Sequence, residues 1–236
     1  MFSINNIIYF PFALSLYLNT PPITYAPPYD CGLDLVYRDE SLLVVNKPSG
    51  LLSVPGRGAD KSDNLTTRVQ NEFPDALNVH RLDMCTSGLL VLARSKEMHL
   101  RLSQLFRERK VNKRYTAILI GRIDAAMGEV DLPLGSDWPN RPRQMVDFSG
   151  GKSSLTRFRL LSHEASASRV ELEPVTGRTH QLRIHMAAIG NPIVGDALYG
   201  EKSGATANRL LLHASVLRFV HPFSAQPLTL VSEAPF

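Results

Sequence analysis

A histidine, an arginine and an aspartate stand within four positions of the stretch HRLDMCTSG, residues 80–88. Strand-like apolar runs flank it, ALNV before and LLVLA after. A carboxylate in a loop between two buried strands is presented by a rigid scaffold, so Asp83 can serve as a nucleophile or a general base. In extended backbone Arg81 shares its face, while His80 and Leu82 point the other way. Taken alone, the segment also reads as a solvated turn with a local ion pair.

A second cluster changes that balance. VTGRTHQLRIH holds Arg178, His180, Gln181, Arg183 and His185 within eight positions. On a helix Arg183 lies one turn from Thr179 and His180, so a polar face can look into a cleft. Zinc is a poor match, because the two histidines are five apart and no HExxH pattern is present. Thr176 and the Gly177 turn also fit a plain capped helix start. Even so, two arginines and two histidines on a packing helix are costly to bury unless an opposite charge awaits them. A third stretch, FRERKVNKRYTA, carries Arg107, Arg109, Lys110, Lys113 and Arg114 ahead of Tyr115. Cations beside an aromatic supply phosphate neutralisation and a stacking surface for RNA. The competing reading is an ordinary solvated helix end.

Elements must position these groups. SLLVVNKPSGLLSVPG reads as a strand, a Lys-Pro turn and a second short extended piece. DNLTTRVQNEF is helical, with Asp63 as N-cap and Pro74 closing it. SKEMHLRLSQLFRERK is a helix capped by Ser95 that turns Met98, Leu102, Leu105 and Phe106 to one face. KRYTAILIG, TRFRLLS, SRVELEPV and LLLHASVLRFVHP read as strands. TGRTHQLRIHMAAIG reads as a helix ending at Gly190, with Leu182, Met186 and Ile189 inward. Strands dominate and helices interrupt them singly, which predicts a mixed α+β fold rather than a regular βαβ wheel.

Composition sets the outer bounds. A chain of 236 residues, 44% hydrophobic and 20% charged, can build a real core. Its net charge of +4 mildly favours an anionic partner. Two cysteines, Cys31 and Cys85, make neither a disulfide framework nor a zinc site, which fits a cytoplasmic protein. No apolar run of about 18 residues exists, so no membrane role is expected. Residues 1–29 read as a charge-free, Pro-rich extension outside the domain. They lack the basic n-region and the small-residue cleavage site of a secretory signal.

The three clusters together resemble the RluA-type pseudouridine synthases. HRLDMCTSGLLVLARS is similar to the catalytic motif of that family, NKPSGLLSVPG to its lysine-proline motif, and VTGRTHQLRIHMAAIGNPIVGDALYG to its arginine motif. KRYTAILIG matches the segment that bears the family tyrosine. The match runs in register from about Asp30 onward. The details LLSVPGRG, DWPNRPRQ and RLLLHASVL are closest to the branch acting on both ribosomal and transfer RNA.

The resemblance implies the pseudouridine synthase core: a mixed, mostly antiparallel sheet with flanking helices and a central basic cleft, over residues 30–236, without the S4 RNA-binding domain that many relatives carry. It implies isomerisation of uridine to pseudouridine, with no cofactor, no metal and no obligate protein partner. Asp83 is the essential aspartate, attacking covalently or removing a sugar proton. Arg183 holds it ionised. Tyr115 stacks on the flipped base and is a candidate to receive the C5 proton. Arg81 fills the gap the base leaves. Lys47, His80, Arg178, His180 and Gln181, with the basic segment Arg107 to Arg114, are expected to contact RNA, in stem-loops of ribosomal and transfer RNA. Other readings are a synthase with another ribosomal target, a non-catalytic RNA-binding assembly factor, and a secreted hydrolase using Asp83 and His80.

Overall fold

The computed structural model describes residues 25–58, 61–200 and 207–236. In chain order its strands are β1 (Leu35–Arg38), β2 (Leu42–Lys47), β3 (Leu77–Asn78), β4 (Ser87–Ala93), β5 (Asn112–Ile120), β6 (Met127–Asp131), β7 (Leu134–Ser136), β8 (Gln144–Val146), β9 (Leu155–Glu164), β10 (Ala167–Pro174), β11 (Leu212–Val220) and β12 (Pro227–Val231). Three helices, α1 (Leu65–Glu72), α2 (Lys96–Arg107) and α3 (Gln181–Ala188), complete it. Ten strands form one sheet ordered β1-β2-β4-β11-β5-β10-β9-β6, with β12 joined to β11 and β3 to β4. β7 and β8 make a separate small hairpin. This is the mostly antiparallel α+β architecture expected.

β2 and β4 are apolar on both faces, and the reason is that helices cover both. Leu42, Val44, Leu89 and Val91 pack toward α2, whereas Leu43, Val45, Leu90 and Leu92 pack toward α1. All eight are fully buried, each contributing roughly 1.5–3 kcal/mol. Ser95 caps α2, its hydroxyl accepting from the Met98 N–H at 3.1 Å. Further along the sheet, α3 lays Leu182 and Met186 against Leu119, Val170 and Leu172. Among the described residues no helix is long and apolar enough to cross a membrane.

The two halves meet at β4 and β11, the parallel pair in the sheet, which match only at His213 with Ser87 and Ala214 with Gly88. Gly88 has a φ of +112°, and a Cβ there would collide with the Ala214 backbone. Only glycine allows this approach.

Several local expectations are corrected. The cap of α1 is Asn64, whose side chain accepts from the Thr67 N–H. Asp63 is drawn instead to Arg68, at 2.8 Å. The piece after the Lys-Pro turn forms no strand. Residues 176–180 form a turn, so α3 starts later than expected, and Ile189 is exposed. The expected extension is also too long. Tyr25 is buried; its hydroxyl donates to the Asp63 carbonyl and accepts from the Leu52 N–H, while Pro28 accepts from Arg68. Residues 25–28 are therefore tied to the domain through Tyr25 and Pro28, while Tyr29 is exposed. The rest of that extension, 1–24, lies outside the described residues.

Replacing Gly88 with alanine is expected to cost on the order of 3 kcal/mol, since positive φ and the clash with β11 act together. The urea unfolding midpoint measures it.

Candidate active site

Asp83 lies in the connection from β3 to β4, and the segment following β2 holds that connection still. The Ser53 hydroxyl donates to the Leu82 carbonyl and accepts from the Leu82 N–H. Ser49 donates to the Cys85 carbonyl, and the Gly50 N–H to the Met84 carbonyl. Lys47 does the same work from below. The residue is 1% exposed, and its ammonium donates to the carbonyls of Pro48, Leu51 and Met84 at 2.8, 2.7 and 3.0 Å. Burial pushes its pKa down to about 7, against the pull of Cys85 and Asp83. Lys47 therefore does not face RNA as expected: it braces the loop that carries Asp83.

The opposing charge comes from α3. Arg183 donates from Nη1 to Asp83 Oδ2 at 3.3 Å. Its Nε and Nη2 make a two-pronged contact with Asp196, both at 2.7 Å. Burial opposes the charge on Arg183, yet the hydrogen bonds to Asp196 and the nearby negative charges hold its pKa above the ordinary value. Asp196 is itself buried, and Arg183 with the N–H groups of Leu198 and Tyr199 outweighs that burial and lowers its pKa. The motif reading named Asp83 as the partner of Arg183 and missed Asp196. The signal was present: a lone carboxylate in the tight turn GDALYG, downstream of a buried arginine.

His180 stands at the N-cap of α3 in the left-handed conformation, φ 56°. Its Nδ1 lies 2.8 Å from the Tyr199 hydroxyl and its Nε2 3.8 Å from Asp83 Oδ2. Burial lowers its pKa, with Asp83 pulling the other way. His185 points elsewhere, to Thr156 and the Leu132 carbonyl.

These groups open on a cleft of about 540 Å³. Six cations line it, Arg81, Arg107, Arg109, Lys113, Arg178 and Arg183, against the single acid Asp83. Tyr115, also in the lining, packs where two core clusters meet. Burial first and the Asp83 charge second raise its pKa and keep it a phenol.

The remaining expected RNA contacts do not reach the cleft as free groups. Arg114 is on the opposite face of β5 from Tyr115 and pairs with Glu171 at 2.7 Å. Lys110 pairs with Glu108. Gln181 is buried and spends both ends of its amide on Thr176, Arg178, Leu155 and Thr156. His80 accepts from the Val91 N–H and stacks on Phe106 with ring centroids 4.4 Å apart. It is an uncharged wall of the cleft rather than a phosphate-binding cation.

The cleft thus brings together the Asp83 carboxylate, the buried Arg183 and Tyr115. A family model described as RNA pseudouridylate synthase matches residues 41–188. The chain belongs to the RNA pseudouridylate synthase family. It is 47% identical over 214 residues to the dual-specificity RNA pseudouridine synthase RluA of Escherichia coli K12, covering 90% of this chain and 98% of that protein. The protein of the same name from Vibrio parahaemolyticus is 49% identical over 208 residues, with 86% and 83% covered. Among solved structures, human RNA pseudouridylate synthase domain containing 1 matches at a TM-score of 0.76 and 34% identity, covering 89% of this chain and 87% of that one. Human RNA pseudouridylate synthase domain containing 4 matches at 0.68 and 26%, covering 85% and 88%. The synthase is thus an isomerase that modifies uridine in RNA.

Two outcomes follow from the geometry. Lys47→Met is expected to lower both Tm and kcat, because three carbonyls lose their donor, while the RNA Kd stays within about twofold; a filter-binding titration and a melting curve separate the two. His80 has its pKa pushed down to about 3 by burial, with Lys113 adding to it, whereas in the unfolded chain it titrates near ~6.5. Below that value the unfolded chain binds a proton that the folded one does not. The contribution of His80 to stability is therefore complete above pH ~6.5 and lost as pH falls toward 3. Urea midpoints at pH 7 and pH 5 measure the slope, which His80→Gln reduces.

Proposed function

We propose that the synthase isomerises loop uridines in two classes of RNA, large-subunit ribosomal RNA and the anticodon stem-loop of transfer RNA, in the cytoplasm. Its high identity to relatives named dual-specificity synthases supports the two targets. The observation that carries the chemistry is the Asp83 carboxylate at the floor of the cleft, with Oδ2 turned to Arg183. In the reaction the N1–C1′ bond breaks, the uracil turns, and C5 bonds to C1′; C5 gives up a proton and N1 gains one. Asp83 either attacks the nucleotide or takes a sugar proton. Both routes need the carboxylate held in place, and Arg183 Nη1 fixes its Oδ2.

A uridine reaches Asp83 only by leaving its stack, which costs a few kcal/mol. Tyr115 offers a ring for the flipped base, and as a phenol with a raised pKa it suits stacking better than proton receipt. Arg81 is exposed at the loop that carries Asp83 and has no ion-pair partner among the described residues. It is the side chain placed to occupy the vacated position. Arg107, Arg109, Lys113 and Arg178 would bind the flanking phosphates.

Asp83→Asn is expected to stop conversion while RNA affinity holds within about threefold, as a group acting in the chemical step but not in binding should. Carbodiimide primer extension reads conversion, and retained activity overturns the assignment. The same assay on an isolated anticodon stem-loop and on the matching paired duplex tests substrate choice. The loop should be modified faster, since its bases start with less stacking. Equal rates on both, or none on either without ribosomal subunits, overturn the two-target reading.

A further inference from the structure

Among the described residues two groups lie within hydrogen-bond reach of the Tyr199 hydroxyl. The Gln144 backbone N–H, at the start of β8, donates to it at 2.8 Å. The other neighbour is His180 Nδ1, also at 2.8 Å. Of the charged groups nearby, the guanidiniums of Arg143 and Arg183 lie 5.4 and 5.1 Å from the ring centroid and accept no proton, and both oxygens of Asp196 are engaged by Arg183, with the Leu198 and Tyr199 N–H groups also on Oδ1. Among the described residues the Tyr199 proton therefore has one acceptor, the Nδ1 of His180. If Nδ1 carried the ring proton, the hydroxyl hydrogen would have no protein acceptor among the described residues. Pairing that hydrogen within the protein puts the imidazole proton on Nε2.

That nitrogen faces the catalytic carboxylate. Nε2 lies 3.8 Å from Asp83 Oδ2, the same oxygen that Arg183 Nη1 approaches at 3.3 Å. At 3.8 Å the contact is longer than a hydrogen bond, and such contacts in free enzymes tighten when substrate is bound. Two donors converge on Oδ2, so Oδ1 is the oxygen left toward the cleft.

We propose that Tyr199 is a positioning residue that fixes His180 as the Nε2–H tautomer, so that His180 and Arg183 together hold Asp83 Oδ2 and leave Oδ1 to react. The inference rests on the reading of Asp83 as the reacting carboxylate. It adds that the β7–β8 hairpin takes part, because the Gln144 N–H donates to the Tyr199 hydroxyl and favours turning that hydroxyl's own hydrogen toward His180. A hydrogen bond to a charged group that tightens in the transition state affects kcat rather than KM.

The test uses the full-length protein. Nitrogen-15 NMR of the free protein should show His180 Nδ1 as an unprotonated acceptor, and Tyr199→Phe, which keeps the ring on Arg183, should give mixed tautomers. That variant should lose kcat by about tenfold or more, the worth of a hydrogen bond to a charged group, with KM unchanged. His180→Asn, suited to the left-handed backbone, should lose a similar factor. The double variant should then be no slower than His180→Asn alone, since Tyr199 acts through His180. A protonated Nδ1 in the native protein overturns the inference, as does an unchanged kcat in Tyr199→Phe, or losses that multiply in the double variant. If Tyr199→Phe does not fold, the native NMR spectrum and the kcat of His180→Asn still decide. The tautomer is read without substrate, so it stands or falls separately from Asp83→Asn, whose retained activity would remove the reading of Asp83 and leave the tautomer intact.

Discussion

The site depends on one guanidinium shared between two carboxylates. Arg183 commits Nε and Nη2 to Asp196 and offers Nη1 to Asp83. Burying an arginine costs several kcal/mol unless it is well paired, and Asp196 supplies that pairing with the geometry that suits a planar fork. The division of labour has a mechanical result. Because two corners of the fork are fixed by a residue that does no chemistry, the third corner is fixed in space as well. Asp83 then meets a charge that does not have to be ordered when substrate arrives, which is the condition for preorganised electrostatics. Asp196 owes its own rigidity to the turn after Gly195, where the N–H groups of Leu198 and Tyr199 bind the oxygen that also takes Nη2.

The sheet explains why the two acids and the arginine can meet at all. Asp83 comes from the β2–β4 half, held by Lys47, Ser49, Gly50 and Ser53, while Arg183 and Asp196 follow β10 on the other side. The halves join where β4 and β11 run parallel for two residues, beside β5 and its Tyr115. A seam so short leaves the strand ends apart and makes room for a cleft, and Gly88 is what lets the two backbones come close enough to form it.

The family and the residues gathered at the cleft were more legible in the sequence than the local structure. Asp83, Arg183 and Tyr115 stood out because charge beside apolar strands demands a reason, and family motifs in register gave one. Lys47 was misread because lysines are usually solvated; nothing in NKPSG says that its ammonium turns inward onto three carbonyls. Arg114 was within reach of the sequence, since alternation along β5 puts Lys113 and Tyr115 on one face and Arg114 on the other. Tyr25 was hidden in a stretch whose lack of charge resembled a tail. The edge strands β1, β6, β7, β8 and β12 are short or half-exposed, so their patterns lack the contrast that marked β2 and β4.

Among the described residues, cations tied to protein acceptors stand apart from cations left unpaired in the cleft, and under the proposed function that division would decide which of them RNA can use. Lys47, Arg68, Arg114 and Arg183 are each tied to protein acceptors. A phosphate approaching one of them would have to replace a bond already made. Arg81, Arg107, Arg109 and Lys113 line the cleft without an ion-pair partner among the described residues. Lys113 is partly desolvated, and burial first, then the Arg109 charge, lowers its pKa. An incoming phosphate would relieve that stress while releasing counterions from the nucleic acid, so under the proposed function the free cations would carry the favourable part of binding. The same arrangement keeps Asp83 from repelling the polymer outright: the one acid in the lining is already matched by Arg183, and the unmatched charge that remains is positive.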